Sequence, residues 1–254
     1  MKAARMSLVG VVAAVVLVAA QAAWADYIEL PVKWSQPPDM QMGMDHLSIH
    51  GVAGTVDGPV VADDYLCDSP ESVVALRWWG SYIGYNGQPP TDYVIPAGFA
   101  VPFHVGFYSD IKAGQNPNEP WSQPGQLLAD YTVRAQEEFF GQVPDPEAVF
   151  MYNAKLPIPF DQEKYRDPTG VPTVFWIRID RFDREDWGWH EAITMNLDDA
   201  VTGVTHMGPW RPLFKIKEPT ISADMAFDVM TPEPATLALV GLGVAGLVAR
   251  RRRK

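Results

Sequence analysis

The chain has 254 residues, among them 23 prolines, 20 glycines and a single cysteine, with a formal net charge of −11. A negative field of that size repels phosphate backbones and anionic lipid, which sets nucleic acid aside as a partner. One cysteine leaves no intramolecular disulfide, and so many prolines argue against a helix-rich body, because proline lacks an N–H and clashes inside helices.

Lys2 and Arg5 precede an apolar run from Leu8 to Ala20, and Ala23 and Ala25 place small residues at −3 and −1 of a cleavage site. That order is a secretory signal peptide over residues 1–25, removed by signal peptidase after Ala25. Residues 26–59 read as an N-terminal extension: a short strand from Tyr27 to Val32, then a break at Pro37-Pro38. Met40, Met42 and Met44 then stand at alternate positions, with His46 and His50 following. Thioether and imidazole are ligands that copper accepts, so Met40, Met42, Met44 and His46 form a candidate copper set; methionines packed on the domain are the alternative.

From residue 60 the composition turns to β, and residues 60–215 are expected to form one domain. Ser72 to Tyr82 is apolar on both faces, as a central strand would be. In Ala100 to Tyr108 the residues Val101, Phe103, Val105 and Phe107 alternate with smaller or polar ones and should face the core. Ile111 to Gly125 reads as a long loop carrying Trp121, and Leu127, Ala129, Tyr131 and Val133 alternate with Leu128, Asp130, Thr132 and Arg134 in another half-buried strand. Glu137-Glu138 and Gln142 to Glu147 read as loop, Val149 to Ala154 and Thr173 to Arg181 as strands, the second with Phe175, Ile177 and Ile179 inward. Trp187 to His190 is a further strand or its corner, Trp210 follows a Gly-Pro turn, and Arg211 to Met230 reads as one last strand and, over residues 216–230, a linker to the tail. Short strands between Gly, Pro and Asn clusters predict an all-β sandwich of the jelly-roll or immunoglobulin-like kind.

The tail, 231–254, runs from Pro232, Glu233 and Pro234 into an apolar segment, Leu237 to Ala249, and closes on Arg250 to Arg253 and Lys254. As a helix the segment spans about 20 Å against a hydrocarbon core of about 30 Å, so it crosses the inner membrane only under strain, with the cations on the cytoplasmic side. The two terminal segments hold seven cations and no acids, so residues 26–234 carry −18 of charge.

The proline-glutamate-proline triplet, the short Gly-Leu-Ala-Val segment and the arginine cluster resemble the PEP-CTERM sorting signal of Gram-negative bacteria that make extracellular polysaccharide. The resemblance implies an exosortase, a membrane-embedded cysteine protease, as processing partner. Thr231 stands where that family often has valine. KWSQPP (33–38), ADDYLC (62–67), WWGSYIG (78–84), GFYSDI (106–111), VFWI (174–177) and WGW (187–189) resemble an uncharacterised secreted domain family, which implies a β-sandwich and brings no catalytic residue.

No Gly-rich phosphate loop, Gly-x-Ser-x-Gly elbow or paired-histidine zinc motif is present. Asp63, Asp64, Asp198 and Asp199 are candidate calcium ligands, since exported sandwiches often use that hard ion; plain turn roles are the alternative. Trp121 and Trp210 are candidate sugar-stacking aromatics. The composite expectation is a non-catalytic surface or matrix protein that binds exopolysaccharide. The alternative is a glycoside hydrolase-like enzyme drawing two carboxylates from Asp63/Asp64, Asp110, Asp183/Glu185/Asp186 or Asp198/Asp199.

Overall fold

The computed structural model describes residues 30–49, 58–82, 100–144, 147–182, 186–194 and 196–233. The signal peptide with Ala23 and Ala25, His50, Asp183, Glu185, Pro234 and the apolar tail segment lie outside the described residues. The strands are β1 (Val32–Gln36), β2 (Asp45–Leu47), β3 (Val60–Cys67), β4 (Val73–Tyr82), β5 (Ala100–Ile111) and β6 (Gln123–Val143). They continue with β7 (Glu147–Phe160), β8 (Thr173–Arg181), β9 (Trp187–His190), β10 (Val201–Gly203), β11 (Trp210–Pro212) and β12 (Phe227–Met230).

All pair antiparallel in one sheet of order β1-β12-β4-β7-β6-β5-β8-β3-β10-β11, with β9 beside the end of β4 and β2 beside β9. β4 and β5 are three strand steps apart, about 14 Å in a flat sheet. Yet Trp78 on β4 and Phe103 on β5 meet edge to face at 5.0 Å between ring centroids. Phe160 on β7 likewise reaches Phe175 on β8 at 5.7 Å. The sheet therefore curls until its opposite walls pack against each other, so the all-β expectation holds with one curled sheet supplying both layers.

Ser48 closes one end of the curl. Its N–H donates to Trp187 O, its carbonyl accepts from Arg181 N, and its hydroxyl donates to Ile179 O at 2.6 Å. A parallel bridge between Ile49 and Arg181 completes the seam between β2 and β8.

Inside lies one aromatic-rich core. Val101, Phe103, Val105 and Phe107 enter it from β5, and Phe175, Ile177 and Ile179 from β8, as their alternation predicts. β6 departs from its pattern. A bulge at Phe107/Tyr108 sets Ala129 opposite Phe107 but Leu127 opposite Tyr108. Leu128 therefore turns to the main core beside Ala129, Tyr131 and Val133 while Leu127 packs on the outer face, which breaks the expected alternation there. β6 also continues through Glu137-Glu138 to Val143, because pairing with β7 needs only backbone while Glu138 faces outward and Glu137, on the core side, accepts a hydrogen bond from the Tyr82 hydroxyl.

Two boundaries differ from the sequence reading. The extension contributes β1 and β2 to the sheet, and the expected linker holds β12, a fully buried strand between β1 and β4. The sequence predicts a short strand early in the extension and a last strand within 211–230, but not their place in the sheet: β12 is four residues long, and its partner β1 lies almost 200 positions earlier in the chain.

Candidate functional site

The outer face of β3, β8 and β5 carries the side chains that point away from the main core. Asp64 stands opposite Trp176 on β8, which stands opposite Tyr108 on β5. With Val60, Ala62, Val201 and Trp210 these rings form a second, smaller core under the β10–β11 hairpin. Gly106 makes room for it: a Cβ there would come within 2.9 Å of the Tyr108 ring.

Arg178 is wholly buried on the same face. It donates to Tyr108 Oη at 2.8 Å and pairs with Asp130 at 3.0 Å and Asp180 at 2.5 Å. Tyr108 Oη in turn donates to His206 O at 2.8 Å, which pins the hairpin to the sheet. A buried guanidinium is tolerable only when paired in this way.

Between this hairpin and the 112–122 loop opens a cavity of about 180 Å³, lined among others by Trp121, Ser122, Asp198, Asp199 and Val201. Trp121 is half-buried, and its indole N–H donates to Trp210 O at 3.1 Å. Trp210 itself is only 4% exposed and meets Tyr108 edge to face, so its ring is part of the scaffold and offers no platform. The fold thus brings Trp121 to the same cavity as Asp198 and Asp199, residues about 77 positions apart whose proximity no local pattern signals.

The four calcium candidates divide. Asp63 points to the other face of β3, where its carboxylate accepts from Met225 N at 2.6 Å and Asp64 N at 2.8 Å. Asp64 has no exposed surface, and neither carboxylate oxygen has a hydrogen-bond partner. Burial, then the Asp198 and Asp224 charges, push its pKa up to about 9, and the nearby Asp198 amide offsets only part of that. Burial likewise raises Asp110, against the hydrogen bond its carboxylate accepts from Trp176 Nε1 at 3.0 Å. Asp224, hidden in the expected linker, is pushed to about 7 by burial and Asp199, against the Asn196 amide it accepts from. Among the described residues no three His, Cys, Asp or Glu side chains gather as they would around a metal ion.

The copper candidates do not share one environment. Met40 packs partly buried against a patch containing Trp79, whereas Met42 is 47% exposed. His46 is buried with its Nε2 2.8 Å from Glu191 Oε1, and the Met44 amide donates to the other oxygen of Glu191. Burial pushes the Glu191 carboxyl up, but the His46 contact and the Ile216 and Met44 amides outweigh it and hold it below its usual value. The segment is a strap fastened across the sheet, and Glu191, its anchor, carries no signal in the sequence. A neighbouring pair, His190 Nδ1 and Asp45 Oδ1 at 2.6 Å, secures its other side.

An acidic, helix-poor body that ends on a cationic apolar tail defines a class: proteins exported and sorted toward the cell surface through a C-terminal signal. Residues 231–253 match the PEP-CTERM protein-sorting motif, so the chain is an exosortase-processed protein. Residues 32–230 match the family described as Domain of unknown function (DUF7901), and the chain belongs to that family. The family's span coincides with the sheet, from the first residue of β1 to the last of β12. No curated protein and no solved structure matches the chain.

Proposed function

We propose that the exported domain is a non-catalytic carbohydrate-binding module displayed in the extracellular polysaccharide, with the Trp121 cavity as its binding site. The observation that carries this reading is the placement of one half-exposed indole and two aspartates on a single small cavity. An indole stacks on the apolar face of a pyranose, while carboxylates accept hydrogen bonds from ring hydroxyls, and the cavity is small enough to favour a single sugar residue. The acidic body favours neutral glycans over charged ones. What weighs against hydrolysis is burial: Asp64 and Asp224, two carboxyls whose proton is held more tightly than usual, are 0% and 1% exposed and have no surface with which to touch a substrate.

Titration of the mature protein with neutral oligosaccharides, followed by calorimetry, tests the reading. Saturable binding without release of reducing sugar, weakened by Trp121→Ala, is the expected result. Turnover that disappears in Asp198→Asn overturns it in favour of the hydrolase alternative.

A further inference from the structure

The last sheet hydrogen bond of the domain and the first residue of the sorting motif fall on the same residue. β12 is buried along its whole length between β1 and β4, and the N–H of Thr231 donates to Pro31 O at 2.9 Å. Thr231 is 7% exposed, and Pro232 and Glu233 are exposed. No spacer separates the folded body from the tail.

From Thr231 to Leu237, where the apolar run begins, six residues reach at most about 20 Å fully extended. The headgroup layer takes roughly 5–8 Å of that distance. While the run is inserted, Thr231 can stand no more than about 15 Å from the lipid surface. One pole of the domain is therefore held against the membrane.

That pole is identified by contacts around the chain's exit. Lys33 Nζ donates to Ser69 O at 2.5 Å, and Gln162 Nε2 donates to Glu71 O at 2.6 Å, so the 68–72 turn and the 161–172 segment flank Thr231. Three aliphatic side chains stand exposed there: Val32 at 47%, Ile158 at 67% and Val171 at 56%. Around the exit Lys33, Lys112, Lys164 and Arg166 stand against Asp68, Glu71, Asp161, Glu163, Asp167 and Glu233, so this pole keeps a small negative surplus, which suits a zwitterionic surface better than an anionic one.

We infer that, before processing, this pole rests on a zwitterionic lipid surface, with Val32, Ile158 and Val171 entering the interfacial layer. The inference depends on the reading of the tail as membrane-inserted. Isolated aliphatics on a surface need no partner in general; here the length of the tether supplies one.

The test uses the full chain with its tail intact, carrying Ile158→Cys, Val171→Cys or, at the opposite pole, Gln142→Cys. Cys67 is buried and does not compete for the label under native conditions. Each variant is labelled with an environment-sensitive fluorophore and reconstituted into phosphatidylcholine vesicles with or without brominated acyl chains. A side chain a few ångströms into the interface should be quenched roughly twofold or more at positions 158 and 171 and unaffected at 142. Protein that floats with the vesicles but shows equal emission at all three positions overturns the inference alone. Failure to float overturns the membrane reading of the tail, and the inference with it.

Discussion

Replacing Asp64 by asparagine should stabilise the protein at neutral and alkaline pH. Asp64 is enclosed, its oxygens lack partners, and its pKa stands at about 9 against an ordinary 3.8. A folded-state pKa raised above the unfolded one means that the native state holds its proton more tightly. The stability gained from that proton is fully present below about pH 4 and drains away as pH climbs toward 9. At about 1.4 kcal/mol per unit, the loss between pH 4 and 7 approaches ~4 kcal/mol as an upper bound, less what local relaxation recovers. Asparagine keeps the shape and carries no titrating proton. In thermal melts followed by circular dichroism, Asp64→Asn and the parent should nearly coincide at pH 4 and separate at pH 8. For about 3 kcal/mol in a domain of this size the separation is roughly 6–12 °C in Tm. The parent's profile should stay sloped in the variant to a lesser degree, because Asp63 and Asp224 are raised as well. Parallel profiles, or a variant less stable at pH 8, would refute the argument that this carboxyl is buried without compensation. The same melts check the calcium expectation: an ion held here would raise the parent's Tm at pH 8 and leave the variant unchanged.

Phe103→Ala removes a fully buried ring that touches Trp78, Tyr152 and Trp187, and should cost about 3–5 kcal/mol, seen as an earlier urea midpoint at unchanged slope. Arg178→Ala takes the guanidinium away from the buried Asp180, which keeps His104 at 3.5 Å, and releases Tyr108, so a loss of about 3 kcal/mol is expected by the same measurement, and Arg178→Met should recover part of it. Leu197 holds φ at 54° while 52% exposed, so Leu197→Gly should be neutral or raise stability by up to about 1 kcal/mol, whereas a drop would show that its side chain does packing work. Trp121→Ala should weaken sugar binding by about tenfold with little change in Tm, since stacking contributes on the order of 1 kcal/mol and the ring is only half-buried.

Two kinds of error separate the sequence reading from the structure. One concerns phase: Leu127 and Leu128 exchange faces because Leu128 is an extra, bulged residue of β6 between the pairs Phe107–Ala129 and Tyr108–Leu127, and a period of two cannot report where its own count slips. The other concerns partners at long range. Asp224 sits next to the Asp63–Asp64 strand, and Glu191 next to His46, through contacts spanning about 150 residues. Asp63 and Asp64 look alike in the chain, yet strand alternation sends one to backbone amides and the other to an enclosed site without partners.

The sequence by itself determined what is local or compositional: an acidic all-β body, the inward faces of β5 and β8, and an export-and-sorting tail whose order of proline, apolar run and arginines is contiguous. Only the tertiary structure decided that β1 and β12 lie side by side, that Trp121 shares a cavity with Asp198 and Asp199, and that the sorting motif leaves the domain with no spacer. The physical reason is the same in each case. Alternation and charge act through neighbours along the chain, whereas strand order, bulges and the fate of a buried carboxylate are set by groups that come together only when the sheet curls closed.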